Sequence, residues 1–428
     1  MYTKALKQTA LLISGLIVAL MTAIALGIGL MQLGAPGSGG PKSPVTGLRE
    51  VGRTPAPTLA PTVEPTVEPT LAPTAEPTPT PTPELRSARI RAVGDVITHQ
   101  VQLDNARQTD GSYVFSPQFA RIADVLADAD YTIANLETTV GRKDNKAYSG
   151  FPMFNTPESL LDALRDAGVD FLTLANNHIL DRGFEGLKLT VDNVARRGFD
   201  FAGANRTPGE KEKAVVVDAG GVRVGMLCYT EMTNGMKKKK DKSPARQYGV
   251  NYLEDADFDA DVRKLRSAGA EVVIALPHWG VEYRQEPTQS MVTTAQALIA
   301  AGVDVVLGSH PHMVQPVTAV EVTDESGRTR RGLVAYSLGN FISNQSKHDT
   351  DWGIMLDFTL KERETGGFDV EDVRVMPTFC WRQPGVIQPL PALKYYDAPP
   401  EGMDDGTWQR LRACVDDLRE MIGALPMI

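Results

Sequence analysis

Six histidines occur in the chain, and four of them (His178, His278, His310 and His312) lie just after short apolar runs. The same positions collect acids and amides. Asp95 follows residues 88–93, and Asn135 and Glu137 close the run that begins at Tyr131. Asn176-Asn177-His178 closes the run from Phe171, with Asp181 three residues on. His278-Trp279-Gly280 follows residues 272–276, with Glu282 beyond it. Gly308-Ser309-His310-Pro311-His312 ends the run from Val303, and Asn340 follows Tyr336-Ser337-Leu338-Gly339. Neutral imidazoles, carboxylates and an amide carbonyl are the ligand set of a divalent ion such as Mn²⁺, Zn²⁺ or Fe²⁺. A carboxylate such as Glu137 can bridge two ions. Ions roughly 3.5–4 Å apart can clamp the attacking and leaving oxygens when a phosphoester or related bond is hydrolysed. A His-x-His pair puts two imidazoles on one short loop, so that each can serve a different ion. No thiolate is among the candidates, which argues against a structural zinc site.

Each residue also has a plainer reading. Asp95, Asn135 and Asp181 are of the types that cap helices and close turns. Asn176-Asn177-His178 suits a turn of side-chain-to-backbone bonds. His310 and His312, flanking a proline after a strand, have little packing rationale. His99 and His348 read as surface residues. The lysines at 237–240, with Lys242, read as a solvated loop, or else as a patch that gathers an anion. Trp279 and Tyr283 suit the core and a substrate platform equally.

The elements that must position these residues alternate between strand and helix. Strands are expected at 88–93, 131–135, 171–176, 272–276 and 303–308. Helices are expected at about 119–127, 157–167, 186–197 and 288–301. Residues 214–229 read as a hairpin turning at Gly220-Gly221, and 317–336 and 353–375 as further antiparallel hairpins. This is an α/β fold with added β-hairpins, and open sheets of that class place their sites beyond the carboxyl ends of the strands. One domain is expected over 86–385, followed by an extension over 386–428 with an amphipathic helix at about 405–422.

The first eighty-five residues differ in kind. Residues 10–31 carry no charge, Lys4 and Lys7 precede them, and the next charge is Lys42. A helix of that length reaches roughly 33 Å, enough for a bilayer core of about 30 Å. Residues 1–9 are then a cytoplasmic tail, and the rest of the chain faces outward. A cleaved signal peptide is the rival, but its apolar region is usually shorter, about 7–15 residues. Residues 32–85 read as a disordered Pro/Thr-rich stalk, with ten of the 29 prolines falling between Thr54 and Pro83 in four-residue repeats such as PTVE. Polyproline geometry stretches Thr54–Pro83 to roughly 90 Å. The net charge of −9 argues against a nucleic-acid binder. Three widely spaced cysteines give neither a zinc pattern nor a dense disulfide framework.

Taken together, Gly94-Asp95-Val96, Ala134-Asn135-Leu136-Glu137, Ala175-Asn176-Asn177-His178 with Asp181, His278-Trp279-Gly280 with Glu282-Tyr283, Gly308-Ser309-His310-Pro311-His312 and Ser337-Leu338-Gly339-Asn340-Phe341 resemble the CapA/PgsA-type capsule-biosynthesis proteins. The resemblance covers about residues 88–345. It implies a calcineurin-like metallophosphoesterase fold, an αββα sandwich, and a link to poly-γ-glutamate at the cell surface. Carried over residue by residue, it implies one ion on Glu137, Asn177, His278 and His310 and another on Asp95, Glu137 and His312. His178 stands for the acid or phosphate-contacting residue, oriented by Asp181. Asn135, Asn176, Trp279, Glu282 and Asn340 are candidate substrate contacts. The sequence departs from the superfamily pattern in having Ile97 where a histidine follows the first aspartate, Glu137 for a bridging aspartate, and Ser309 inserted after Gly308.

The expected function is therefore that of a single-pass, outward-facing membrane protein handling poly-γ-glutamate or a related anionic surface polymer. One or two divalent ions would assist attack by water or another nucleophile. Other capsule-synthesis membrane proteins are expected partners. The alternative is a non-catalytic polymer-binding or export subunit, and a weaker third reading is an exported nucleotidase.

Overall fold

The computed structural model describes residues 84–141, 147–234, 241–324 and 326–428. The expected membrane segment at 10–31, the stalk up to residue 83 and the lysines at 237–240 lie outside them. Among the described residues no helix is long and apolar enough to cross a membrane.

The first seven strands are β1 (Ser87–Val96), β2 (Tyr131–Leu136), β3 (Phe171–Thr173), β4 (Asp200–Ala202), β5 (Val216–Ala219), β6 (Val222–Thr230) and β7 (Val272–His278). Seven more follow, β8 (Val305–Leu307), β9 (Val317–Thr323), β10 (Thr329–Ala335), β11 (Asn340–Ile342), β12 (Trp352–Glu362), β13 (Phe368–Gln383) and β14 (Val386–Pro391). Between them run α1 (Gln100–Ala106), α2 (Ser116–Phe119), α3 (Ala123–Leu126), α4 (Ser159–Asp166) and α5 (Gly183–Arg196). The remaining helices are α6 (Pro208–Lys211), α7 (Phe258–Ser267), α8 (Gln289–Ala301) and α9 (Asp405–Ile422).

One sheet has the strand order β14-β13-β12-β1-β2-β3-β4, with β11 added beside β1; the other has the order β5-β6-β7-β8-β10-β9. Alternating side chains give each sheet two apolar faces. Ile90, Ala92, Ile133 and Phe171 of the first sheet share a core with Val224, Met226, Ile274, Leu276, Val305 and Leu307 of the second. On the first sheet's outer face, Ala134, Leu136 and Leu172 pack against Leu160, Leu161 and Leu164 of α4 and Leu187, Val191 and Val194 of α5. Val273, Ala275 and Val306 pack against Val262 and Leu265 of α7 and Leu298 and Ile299 of α8. The result is four layers, helix, sheet, sheet, helix. Each fully buried aliphatic side chain stabilises such a stack by about 1.5–3 kcal/mol.

The division expected at residue 386 is not a structural boundary. Val386–Pro391 is β14, paired antiparallel with β13. Helix α9 buries Leu411, Cys414, Val415, Leu418 and Ile422 in the same core as Val375, Phe379 and Leu390. The apolar stripe that identifies this helix in the sequence is therefore its contact with the fold. All three cysteines are buried and unbridged.

Two charge clusters tie strands together. Arg91 and Asp357 are both buried between β1 and β12, with Nε 2.6 Å from Oδ1 and Nη2 2.8 Å from Oδ2. Just before β1, Arg86 donates to Glu271 and to Glu362, at 2.7 Å each.

Candidate metal centre

Strand parity and one irregularity aim the polar side chains. In β2, Tyr131 and Ile133 face the space between the sheets, while Ala134 and Leu136 face the helices. Asn135 and Glu137 continue the inward set. Likewise His278 continues Ile274 and Leu276. In β1 the inward set is Ala88, Ile90 and Ala92, which by strict alternation would continue at Gly94. Instead the register shifts between Ala92 and Asp95, so that Asp95 lies opposite Asn135. This bulge turns the carboxylate inward, a use of bulges often found beside active sites. Close backbone approach enforces the arrangement: a Cβ on Gly94 would lie 1.8 Å from the carbonyl oxygen of Gly339.

The histidine loop reaches the same point by unusual backbone geometry. His310 (φ 98°) and His312 (φ 59°) both occupy the left-handed region. Such conformations are costly for non-glycine residues and cluster at functional sites. Here they turn both rings inward around Pro311.

The structure brings Asp95, Glu137, Asn177, His278, His310 and His312 together. One ligand atom each from Glu137, His278 and His310 lie within 4.8 Å of one another, as do atoms from Asp95, Glu137 and His312. His278 Nε2 is 3.2 Å from Asn177 Oδ1, 3.1 Å from His310 Nδ1 and 3.8 Å from Glu137 Oε1. Its other nitrogen faces Ser309 Oγ at 2.9 Å. With the ring proton on Nδ1, toward Ser309, Nε2 presents a lone pair to acceptors. Similarly, His312 Nδ1 is 3.0 Å from Asp95 Oδ2, and its Nε2 lies 3.8 Å from Glu137 Oε1. Glu137 Oε1 is thus common to both groups, buried, and without a hydrogen-bond donor among the described residues. A buried carboxylate oxygen of this kind is costly unless something positive meets it.

Electrostatics agree. Burial, then the neighbouring Asp95 carboxylate, pushes Glu137 well above the usual carboxylate range. Burial, then the His310 imidazole, holds His278 well below the usual histidine range. Burial, then His312, lowers His310 to about 4. Neutral imidazoles are the ligating form, and a bound cation reverses the penalty on the carboxylates. The donor set therefore fits a divalent ion.

Beside this cluster, His178 Nδ1 lies 2.8 Å from Asp181 Oδ2, which also accepts from the backbone N–H of Phe154 at 2.8 Å. Asp181 thereby holds the proton on Nδ1, while Nε2 lies 3.4 Å from Asn234 Nδ2. The Phe154 ring packs edge-on against His178, with centroids 4.6 Å apart.

The candidate substrate contacts separate into two kinds. Asn135 lies within the cluster, donating to Asp95 Oδ1 at 2.8 Å and reaching Glu137 Oε2 at 3.4 Å. Glu282 is exposed, close enough to Glu137 to raise its pKa. Asn176 instead closes a turn, donating to the Leu136 carbonyl at 2.8 Å and accepting from the His178 N–H at 3.2 Å. Asn340 donates to the Thr350 carbonyl at 2.8 Å and bonds Gln345 Oε1 at 2.9 Å. Trp279 is wholly buried, in the core under α8, with Nε1 donating to the Tyr336 carbonyl.

Ser309, Asn234 and Phe154 are contacts that the sequence does not reveal. Only Ser309 leaves a trace there, as the residue inserted after Gly308. His99 is not the surface residue expected. It is half-buried, bonded to the backbone of Asn344, a contact between residues far apart in the sequence. His348, by contrast, has an exposed side chain.

Comparison with known proteins assigns the class. The family model described as bacterial capsule synthesis protein PGA_cap matches residues 89–345, and the chain belongs to that family. It is similar to the capsule biosynthesis protein CapA of Bacillus anthracis, 27% identical over 290 residues that cover 66% of each chain. The PGA biosynthesis protein CapA of Bacillus subtilis is 26% identical over 259 residues, 60% of this chain and 64% of that one. The matches thus span just under two thirds of those relatives. A probable polyglutamine synthesis accessory protein of Mycobacterium tuberculosis is 26% identical over 195 residues, 44% of this chain and 51% of its own. Among solved structures, a Haemophilus influenzae NAD nucleotidase aligns with TM-score 0.41 and 11% identity over 81% of this chain and 57% of that one. A likeness that loose carries no argument about chemistry.

Proposed function

We propose that the protein is an outward-facing, membrane-anchored component of poly-γ-glutamate or related surface-polymer synthesis, export or processing, and that its strand-end cluster is a metallophosphoesterase-like hydrolase or transferase site. The observation that carries the reading is Glu137 Oε1, buried and, among the described residues, donorless at the junction of two ligand groups. Glu137, Asn177, His278 and His310 would hold one divalent ion, and Asp95, Glu137 and His312 a second. Such an ion, when bound, supplies Lewis-acid polarisation of a phosphoryl or acyl oxygen. Around it the chain's own groups divide the work. Asn135 orients the Asp95 and Glu137 carboxylates, and Ser309 fixes the His278 ring. Asp181 holds the His178 tautomer, leaving Nε2 to take up a proton and pass it to a leaving group. The buried walls exclude water from behind the ligands.

A test is metal analysis of the purified chain combined with a screen of phosphoester, amide and nucleotide substrates. Metal-dependent turnover, lost at least about 100-fold in His178→Ala with metal content unchanged, is the expected result. Turnover without metal would overturn the reading. Polymer binding without turnover would favour a receptor built on the same cleft, and preference for nucleotides would favour a nucleotidase.

A further inference from the structure

Seven large hydrophobic side chains are exposed among the described residues, and four of them, Phe151, Met153, Met232 and Val281, lie on three loops beside the ligand residues. Phe151 is the most open, at 72%. Its loop is nevertheless fixed. Arg182 Nη2 donates to the Met153 carbonyl at 2.7 Å and to Ser149 Oγ, and the Phe154 N–H donates to Asp181 Oδ2 at 2.8 Å. The Phe151 ring packs against Phe154 with centroids 6.4 Å apart, and Phe154 packs on His178.

The other two loops run from His178 to His278. Asn234 donates its backbone N–H to the Asn177 carbonyl at 2.8 Å, with its amide facing His178 Nε2, and the Glu231 N–H donates to the His278 carbonyl at 3.0 Å. Met232 therefore lies on a span anchored to both ligand residues. Val281 follows Gly280, whose N–H donates to Glu231 Oε2 at 2.9 Å. The three loops form one bonded rim on the His178 side of the cluster. Its charged groups are committed within it: Arg182 and Glu231 bond backbone groups, and Glu282 bonds Tyr283. Residues 147–154 include no charged side chain. Large apolar side chains gathered beside a polar cluster mark a ligand surface, and here they adjoin the residue that serves the leaving group.

We propose that Phe151 and Met153, with Met232 and Val281 on the adjoining loops, seat a hydrocarbon chain of the substrate on the His178 side of the cluster. The substrate is then an amphiphile, a phosphoryl or acyl head joined to an apolar tail. This rests on the strand-end cluster being the working site. A surface-polymer precursor carried on a hydrocarbon chain has that chemistry, whereas the bare polyanion would leave the four side chains facing water.

The test is calorimetric titration of the full-length, Mn²⁺-loaded chain with methyl-, butyl- and hexylphosphonate, whose P–C bond resists hydrolysis. Affinity is expected to rise about twofold for each added methylene, half the free energy of full burial, and so about thirtyfold from methyl to hexyl. Phe151→Ser and Met153→Ser, both exposed changes, should each weaken hexylphosphonate about fivefold, while Phe151→Leu keeps most of the rise. Methylphosphonate, which has no chain to seat, should bind all four proteins alike, and their metal content should be equal. Equal affinity for methyl and hexyl in wild type, an undiminished rise in both serine variants, loss of metal in either, or a wild type that binds none of the three overturns the proposal. So does binding to phosphatidylcholine vesicles that the serine variants lose, without dependence on chain length in solution, since the rim is then a membrane-docking face. A wild type that takes up no metal yet shows the Phe151-dependent rise refutes the metal site while leaving the apolar seat standing.

Discussion

Replacing Glu137 with glutamine should move stability in opposite directions with and without metal. In the metal-free protein the Glu137 carboxyl is buried against Asp95 and its pKa lies well above the usual value. A folded-state pKa above the unfolded one means that the contribution is complete below about pH 4.3 and is lost as pH rises toward the folded value. Within that window the loss is about 1.4 kcal/mol per pH unit. Glutamine keeps the shape and has no proton to lose. Residues Thr80–Ile428 form one compact unit. At about 2.1 cal/mol/K per residue its unfolding entropy is roughly 0.7 kcal/mol/K, so each pH unit corresponds to about 2 °C in Tm. Metal-free Glu137→Gln should therefore melt above metal-free wild type at pH 7–8, well above the pH at which the unfolded carboxyl ionises. With Mn²⁺ at about 1,000 times its Kd, wild type should gain about 4 kcal/mol, or roughly 6 °C, and the variant little of it. Circular-dichroism melts in EDTA and in Mn²⁺ at several pH values read both arms. An undiminished metal-induced rise in Glu137→Gln, or a metal-free variant that melts lower than wild type at pH 8, would refute the reasoning.

Other outcomes follow from the packing. Asp357→Asn strips the buried Arg91 of its carboxylate and should cost about 3–5 kcal/mol in guanidinium unfolding at neutral pH. Gly308→Ala places a Cβ 2.0 Å from the Tyr336 carbonyl oxygen and 2.6 Å from Trp279 Nε1. It should destabilise by about 1–3 kcal/mol and weaken metal uptake, measured by melts and calorimetry, because His310 sits two residues on. His310 is lowered to about 4, burial being the first cause. Its folded-state pKa lies below the unfolded value, so the metal-free protein should lose stability as pH falls from about 6.5 toward 4. His310→Gln should flatten that part of the acid melt.

Much of this architecture is legible in the sequence because periodicity reports burial. Helix α9 runs over Asp405–Ile422, the span its apolar stripe marks, and the Gly220-Gly221 turn joins β5 to β6 as its residues require. The six ligand candidates are legible as polar residues at strand ends. What periodicity cannot report is pairing between distant segments. β4 and β11 are three residues long and pair with β3 and β1, which lie well before them in the chain, while β14 pairs with the β13 just before it but is interrupted by Pro389. The same limit hides His99, whose partner Asn344 is 245 positions away. Trp279 and Asn176 show the converse: adjacent to ligands in sequence, they point into the core and into a turn.

Arg86 straps Glu271, at the entrance to β7, to Glu362, at the end of β12, immediately before β1 leaves for the interior. Strand β1 is flanked by β2 and β12 along most of its length. Traction arriving at Leu85 thus meets a clamp spanning both sheets and then loads the interstrand bonds in shear, together, where an edge strand would peel one bond at a time. The polypeptide is reinforced at the point where a tether would pull, and Asp95 is shielded from that load at the strand's far end.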